Sequence, residues 1–228
     1  MKKMSFNVAI DGPAGAGKST IAKRVAKQLG FIYVDTGAMY RAMALYLIRN
    51  NVRRDNQEEI AMCCQDADVS IRHENGEQMV LLNGENVNGF IRTEEVGNMA
   101  SVSSTNLKVR EKLVELQKKL AAEQDVIMDG RDIGTCVLPK ADVKVYLTAS
   151  SAVRAKRRFK ELEEKGQECN LEQIEADIIE RDHRDMTREH SPLKQAEDAV
   201  LIDSSDMTID EVVEAICELA SQKGAEAK

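Results

Sequence analysis

The sequence predicts an α/β fold in which a five-stranded parallel sheet is flanked by helices. Two observations indicate this: short apolar runs recur along the chain, and helical patterns lie between most of them. The runs are Phe6–Ile10, Phe31–Val34, Val126–Met128, Val143–Leu147 and Val200–Ile202. Their largely continuous apolar character is typical of strands covered on both faces. Sheets of this kind bind their ligands at the carboxyl ends of the strands.

The first strand runs directly into residues that fit the P-loop pattern G-x-x-x-x-G-K-[ST] at every fixed position. The residues are Gly12, Pro13, Ala14, Gly15, Ala16, Gly17, Lys18 and Ser19. Glycines let backbone N–H groups turn toward a polyphosphate, and the start of the following helix favours negative charge. Lys18 can reach the β- and γ-phosphates, and Ser19 can ligate Mg²⁺. The motif therefore predicts that the protein binds a nucleoside triphosphate.

The second strand is followed by Asp35 and by Thr36-Gly37-Ala38-Met39-Tyr40-Arg41, after which an apolar helical stretch continues to about Ile48. A further helix is predicted over 55–67. Between Val69 and Arg92 the pattern changes, because Val69–Arg72 alternates, Asn75-Gly76 is a strong turn signal and Gln78–Leu82 forms a second strand candidate. With a third short strand around Val87, we interpret this stretch as a small antiparallel insertion. The alternative is a loosely structured surface loop.

Helical patterns also fill the rest of the chain. They cover Thr93–Ser103, Leu107–Ala122, Ser151–Lys165, Asn170–Glu189 and a last helix that Thr208 and Glu211 cap. The apolar face expected in the second of these consists of Val109, Leu113, Leu116 and Leu120. That of the last helix consists of Ile209, Val212, Val213 and Ile216. The helix over Ser151–Lys165 is strongly basic, and Gly166 after it suits a mobile flap over the triphosphate.

Polar side chains collect where the predicted strands end. They are Asp11, Asp35, Asp129, Thr148 and Asp203. Asp129 ends an apolar strand as a Walker-B acid does, so we expect it in the outer shell of the magnesium ion. Asp11 could equally have a structural role.

Arginines from several segments are placed to converge on the P-loop, as phosphoryl transfer requires. Arg41 and Arg131 follow strand ends. Arg154, Arg157 and Arg158 lie on one side of the basic helix, because their spacings are three and four. The alternative for a basic helix is a solvated face. Arginines in several parts of the chain favour two bound phosphate groups over one, and thus a kinase over an NTPase.

Composition narrows the function classes further. The chain has 228 residues and a net charge of −7, which argues against non-specific binding to a nucleic-acid backbone. No apolar run approaches the ~20 residues of a membrane span, and the basic N-terminus leads into a strand rather than a signal-peptide core. Five scattered cysteines and three histidines give no zinc-ligand pattern. We expect a cytoplasmic monomer that binds neither nucleic acid nor membrane.

Four segments resemble the bacterial cytidylate kinases. They are Asp35-Thr36-Gly37-Ala38-Met39-Tyr40-Arg41, Ile91-Arg92-Thr93-Glu94-Glu95-Val96, Asp129-Gly130-Arg131-Asp132-Ile133-Gly134-Thr135 and Arg181-Asp182-x-Arg184-Asp185-x-x-Arg188. The resemblance covers essentially the whole chain. It implies a P-loop kinase fold in one domain, with a core over 1–66, 93–150 and 191–228. It also implies a nucleoside-monophosphate-binding insertion at about 67–92 and a helical lid at about 151–190.

The resemblance implies transfer of the γ-phosphoryl group of ATP, with Mg²⁺, to CMP and dCMP. The implied CMP-binding residues are Thr36, Arg41, Ser101, Arg110, Arg131, Asp132, Arg181, Asp185 and Arg188. The implied ATP-binding residues are the P-loop with Thr20, Arg154 and Arg157, and the implied catalytic residues are Lys18, Arg131 and Arg158. Asp132 would accept from the N4 amino group of cytosine, and Arg41 and Arg131 would grip the monophosphate.

Some assignments stay open. Arg181 and Asp185 are expected at the sugar, but they lie four residues apart and could simply pair with each other. In relatives the residue matching Ser19 is often glycine, so either Ser19 or Thr20 could be the magnesium ligand. The alternative functions are another small-molecule P-loop kinase, for example one acting on UMP, and a P-loop NTPase that switches or moves a partner.

Overall fold

The computed structural model describes residues 5–74 and 77–225. Its strands are β1 (Asn7–Asp11), β2 (Ile32–Asp35), β3 (Val69–Glu74), β4 (Glu77–Leu82), β5 (Glu85–Asn86), β6 (Val126–Gly130), β7 (Val143–Thr148) and β8 (Val200–Asp203). Its helices are α1 (Lys18–Leu29), α2 (Thr36–Arg49), α3 (Gln57–Cys63), α4 (Glu94–Ser103), α5 (Leu107–Glu123), α6 (Ser151–Glu164), α7 (Leu171–Thr187) and α8 (Ile209–Gln222). The chain divides into two compact units. Unit 1 centres on Ile32–Asp125, and unit 2 on Phe6–Phe31 with the chain from Val126 onward.

All five predicted apolar runs are strands of one sheet, in the order β2-β6-β1-β7-β8. Within unit 2, β1 pairs in parallel with both β6 and β7, and β7 pairs in parallel with β8. The predicted α/β fold is therefore confirmed. Each strand includes, as a residue of the strand, the polar residue that was expected to follow it. In the sheet register, Asp129 lies opposite Ile10, and Asp203 lies opposite Thr148. The polar side chains thus belong to the strand ends themselves.

The helices of unit 2 have clear boundaries. Gly17 and Gly30, both in the left-handed conformation, flank α1, which packs against β6 and α8. The predicted capping box of α8 is present, since Thr208 and Glu211 satisfy each other's backbone N–H groups. Asn170 caps α7 by accepting from the Gln173 N–H, and α7 packs against α6. These caps fix where each helix begins.

Unit 1 contains the predicted antiparallel insertion, which forms the three-stranded sheet β3-β4-β5. Val69 lies opposite Leu82 in this sheet, and both side chains are buried. The predicted turn at Asn75-Gly76 lies outside the described residues. Gln78 joins the sheet to β2, because its side-chain amide accepts from the Asp35 N–H at 2.8 Å and donates to the Asp35 carbonyl at 3.3 Å.

Three predictions of helical detail are wrong. The helix expected over 55–67 is shorter, because α3 gives way to a 3₁₀ turn at Cys64–Asp66. In α5 the buried row continues from Leu113 to Gln117 and Ala121, whereas Leu116 and Leu120 are only half-buried. A prediction based on apolar residues alone therefore misplaces the buried face of a helix when a polar residue such as Gln117 is part of that face. Ile209, expected on the buried face of α8, is 47% exposed.

Within the ranges 5–74 and 77–225, every helix is too short or too polar to cross a membrane.

Candidate functional site

The P-loop of unit 2 has the predicted strand-loop-helix context, between β1 and α1. Gly12 is required by close packing: a Cβ atom there would lie 1.9 Å from the backbone oxygen of Leu147, and its φ of +149° disfavours other residues. Gly17 has a φ of +86° and is the N-cap of α1. The first turn of α1 therefore starts at Lys18, at the positive end of the helix dipole.

Lys18 is a buried cation, with 5% of its surface exposed. Its Nζ donates to the backbone oxygen of Pro13 at 2.7 Å. Burial, and then the charge of Arg131, lowers the pKa of Lys18, whereas Asp129, Asp11 and Asp185 act in the opposite direction. A phosphate beside this ammonium would supply the negative charge that favours its protonated form.

The hydroxyl of Ser19 donates to Oδ2 of Asp129 at 2.9 Å. Asp129 is buried near the end of β6, as predicted for a Walker-B acid, whereas Thr20 is exposed. Hydroxyl and carboxylate oxygens are the hard ligands that Mg²⁺ prefers. The Ser19–Asp129 pair therefore fits a magnesium ion, and the neighbouring Thr20 lies on the exposed side of the helix start.

Asp11, left open by the sequence, caps the turn that follows β6. Its Oδ1 accepts from the Ile133 N–H at 2.8 Å, and its Oδ2 accepts from the Gly134 N–H at 2.7 Å. Burial raises the pKa of Asp11 to about 6, and these two hydrogen bonds oppose the shift. Asp11 thus ties the strand before the P-loop to the segment after β6.

Arg131 and Asp132, directly after β6, each have a partner of opposite charge. Nε of Arg131 donates to Oδ2 of Asp185 at 2.8 Å, and Nη2 of Arg188 donates to Oδ1 of Asp132 at 3.3 Å. Burial opposes ionisation of Asp185, but Arg131 and then Arg181 and Arg188 hold the pKa of Asp185 below its usual value. The structure therefore brings four of the predicted CMP-binding residues into two ion pairs, with Arg181 adding positive charge.

The three predicted arginines of α6 have different surroundings. Arg154 is buried and donates to the backbone oxygen of Ala14 in the P-loop at 2.9 Å and to both carboxylate oxygens of Asp182. Arg157 donates to the backbone oxygen of Ser204 at 2.7 Å, after the end of β8. Arg158 is half-exposed and pairs with Glu161 one turn along α6, so its contact with a phosphate stays a prediction.

The predicted CMP-binding residues of unit 1 lie on three helices. Thr36 is buried at the start of α2, and Arg41 and Ser101 are half-buried on α2 and α4. Arg110 on α5 is buried, with its guanidinium carbon 5.9 Å from the centre of the Tyr40 ring. The described contacts leave the binding roles of these four residues as predictions.

Sequence reasoning missed two charged residues that organise these sites. Asp182 holds Arg154 in unit 2. In unit 1, Arg92 pairs with Asp35 at 2.7 Å while Asp35 caps α2 through the Ala38 N–H. Both residues lie in the segments that carry the family resemblance, so their position in a motif was an available signal. Their partners depend on tertiary structure, which residue spacing does not give.

Comparisons with known proteins agree with this geometry. The sequence model of the cytidylate kinase family matches residues 8–222. The chain is 52% identical over 219 residues to a cytidylate kinase of Caldicellulosiruptor saccharolyticus, which covers 96% of each chain. It is 51% identical over 227 residues to a cytidylate kinase of Lactobacillus johnsonii, which covers 98% of this chain and 99% of the relative.

Among solved structures, an uncharacterised protein from Eubacterium ventriosum has a TM-score of 0.51 and 11% identity, over 96% of this chain and 99% of that one. At this level of identity the likeness concerns the fold alone. The family match spans most of the chain, and both enzyme relatives share about half of their residues with it. This chain therefore belongs to the cytidylate kinase family.

Proposed function

We propose that this protein transfers the γ-phosphoryl group of ATP to CMP and dCMP, giving CDP and dCDP. The observation that carries the proposal is the adjacency of Arg131 and Asp132 at the end of β6, the strand that pairs with the one leading into the P-loop. A guanidinium fork suits a phosphate, and a carboxylate suits the N4 amino group of cytosine. Membership of the cytidylate kinase family supports the same reaction.

The proposed ATP site is the P-loop with Thr20, Arg154 and Arg157. Support comes from the buried ammonium of Lys18 and from Arg154, which already contacts the loop at Ala14. Lys18 is assigned to the transferred phosphoryl group, where it would balance the charge of the transition state. Arg158 is assigned the same role once it leaves Glu161, a surface pair that costs little to break.

The residues of this chain would position Mg²⁺ through Ser19, with Asp129 in the outer shell. The 2.9 Å contact between these two side chains supports the assignment. Magnesium bound with ATP supplies charge neutralisation on the phosphate oxygens. Because the acceptor is itself an anionic phosphate oxygen, no side chain needs to remove a proton from it.

For the acceptor nucleotide, Arg131 is assigned to the phosphate and Asp132 to the cytosine amino group. Arg188, which donates to Asp132, also has the donors that the O2 and N3 edge of cytosine requires. Arg181 and Asp185 are assigned to the sugar. Unit 1 carries the remaining predicted CMP-binding residues, which are Thr36, Arg41, Ser101 and Arg110.

The organisation of the chain is part of this proposal. We assign the three-stranded sheet to a CMP-binding insertion at about 67–92, α6 and α7 to a lid at about 151–190, and the remaining segments to the core. We also propose a cytoplasmic monomer. The five free cysteines of the described residues support the compartment, because disulfides are rare in the reducing cytosol.

A panel of acceptors tests the function directly. Purified protein with ATP and Mg²⁺ is given CMP, dCMP, UMP or no acceptor, and ADP release is followed together with the phosphorylated product. We expect CMP and dCMP to give products at rates at least about tenfold above UMP, since a buried carboxylate rejects the uracil carbonyl. Equal use of UMP would contradict the cytosine assignment. Steady ATP hydrolysis without an acceptor would favour the NTPase alternative.

A further inference from the structure

We propose that Asp11 is a positioning residue for base specificity: it caps the turn after β6 in place of Asp132, whose carboxylate is thereby directed to Arg188 and the acceptor base. This inference rests on the proposed function. It assigns a role to a residue that the P-loop pattern does not include, although Asp11 immediately precedes that loop.

The turn concerned is a π-helical turn at Ile133–Val137. The backbone oxygen of Asp132 accepts from the N–H groups of Cys136 and Val137 at 2.8 and 3.2 Å, and Ile133 accepts from Leu138 at 2.7 Å. Asp132 is therefore the N-cap residue of this turn. Aspartate is among the residue types that prefer this position, because its side chain accepts from the first N–H groups of the turn.

Asp132 does not use its side chain in this way. The N–H groups of Ile133 and Gly134 instead donate to Asp11, at 2.8 and 2.7 Å, across 122 and 123 residues of sequence. Asp11 is the last residue of β1 and lies opposite Gly130, so its carboxylate reaches the chain just after β6. Both of its oxygens are used, and only 5% of the residue is exposed.

The replacement of Asp132 by Asp11 as the capping side chain, here called the exchange of caps, has a chemical consequence. A carboxylate that capped its own turn would have its oxygens directed at backbone N–H groups. In the structure Oδ1 of Asp132 accepts from Arg188 instead, on the side of α7. The exchange leaves the Asp132 carboxylate paired with Arg188 rather than with the N–H groups of its own turn. In the proposed function this carboxylate accepts from the N4 amino group of cytosine.

Gly134 is closely packed against the side chains of Asp11 and Lys144. A Cβ atom at Gly134 would lie 3.2 Å from Cδ of Lys144 and 3.4 Å from Oδ2 of Asp11. Lys144 is itself held by Asp198 and the backbone oxygen of Pro139. Alanine at this position would crowd the Asp11 contact without breaking any hydrogen bond directly, so Gly134→Ala is a milder second variant.

The test compares wild type, Asp11→Asn, Asp132→Ala and the double variant, with kcat and KM measured for CMP, UMP and ATP. Asparagine matches the shape of aspartate but offers one acceptor oxygen to two N–H groups. We expect Asp11→Asn to raise the KM for CMP and to lower the CMP-over-UMP ratio of kcat/KM, each about tenfold. The KM for ATP should stay within about twofold, and Asp11→Asn should not lower the ratio further in the Asp132→Ala background.

Asp198→Asn is the matched control, since Asp198 is an exposed carboxylate that contacts Lys144 in the same region. Its CMP-over-UMP ratio should equal that of wild type. If Asp11→Asn does not fold, Gly134→Ala should give a smaller loss of the ratio in the same direction.

A ratio unchanged in Asp11→Asn, or in Gly134→Ala when that variant replaces it, would overturn the positioning role while leaving the proposed function intact. So would an equal rise in KM for ATP and CMP, or a further loss in the double variant. A wild-type protein that does not phosphorylate CMP would overturn the proposed function and this role with it.

Discussion

Two regions of unit 2 hold the proposed phosphate-binding groups in different ways. The donor region, Gly12–Ser19, is one continuous segment whose shape is set by backbone conformation and by the tight packing of Gly12 against Leu147. The acceptor region consists of Arg131, Asp132, Asp185 and Arg188, which come from two distant segments and are held as two ion pairs. The donor region is thus formed by local sequence, whereas the acceptor region is formed by charge pairing at long range.

The difference has an energetic meaning. Backbone N–H groups in a fixed loop need no reorganisation when a phosphate arrives. The arginines of the acceptor region are paired with carboxylates, so a monophosphate bound as proposed would compete with Asp185 for Arg131. Because both partners are largely buried, this exchange is more costly than breaking a surface pair. We expect substitutions in the donor region to reduce the rate and ATP binding, and substitutions in the acceptor region to affect the acceptor nucleotide.

The largest expected effect is that of Lys18→Met in the donor region. It removes the buried cation assigned to the transferred phosphoryl group, so kcat should fall about 10³-fold. The measurement is the rate of ADP release at saturating CMP. Lys27→Met, at an exposed position on the same helix, is the control and should keep the wild-type rate. A loss of less than about tenfold in Lys18→Met would contradict its role.

Asp11, the residue before the donor region, hydrogen-bonds the turn that follows Asp132 of the acceptor region. We expect it to make the free energy of unfolding depend on pH. Burial raises its pKa from 3.8 to about 6, so the folded protein binds this proton more tightly than the unfolded chain does. The stabilisation from the protonated carboxyl is complete below about pH 4 and is lost as the pH rises through 6. Relative to Asp11→Asn, the free energy of unfolding of wild type should fall by up to ~3 kcal/mol between pH 4 and 7.

Urea titrations of both proteins across this pH range measure the difference. A difference between wild type and Asp11→Asn that is constant with pH would show that Asp11 does not titrate in this range in the folded state.

In the acceptor region, Arg131→Ala should lower kcat about 10²-fold, because it removes the charge proposed to hold the acceptor phosphate in line. Arg131→Lys should recover part of the rate, since it restores the charge but not the fork. Arg184→Ala on α7 is the control, because Arg184 is half-exposed and pairs with Glu180. An unchanged rate in Arg131→Ala would remove this residue from the site.

The smallest expected effect separates Ser19 from Thr20. Ser19→Ala should raise the Mg²⁺ concentration needed for half-maximal rate by about tenfold, since it removes the hydroxyl oxygen proposed as a ligand. Thr20→Ala should change it by less than about twofold, because Thr20 lies on the exposed side of the helix start. A magnesium titration of both variants decides the ligand, and the reverse order would assign it to Thr20.

The sequence predicts the donor region better than the acceptor region, because the first is formed by local sequence and the second by long-range ion pairs. The five strands, the P-loop and the capping box of α8 depend on residues close in sequence, and their patterns predicted them. The motifs named Arg131, Asp132, Asp185 and Arg188, but spacing could not say that Asp185 pairs with Arg131 or that Asp11 caps the Ile133 turn. Gln117 shows the same limit in the core, since its burial depends on what packs against α5.

The most direct test of the separation between donor and acceptor regions is binding of each nucleotide alone. Dissociation constants for MgATP and for CMP are measured by calorimetry in wild type, Lys18→Met and Asp132→Ala. The control is Asp177→Ala, at an exposed position of α7. We expect Lys18→Met to weaken ATP binding and leave CMP binding within about twofold, and Asp132→Ala to weaken CMP binding about tenfold and leave ATP unchanged. Equal loss of both nucleotides in either variant would contradict the account.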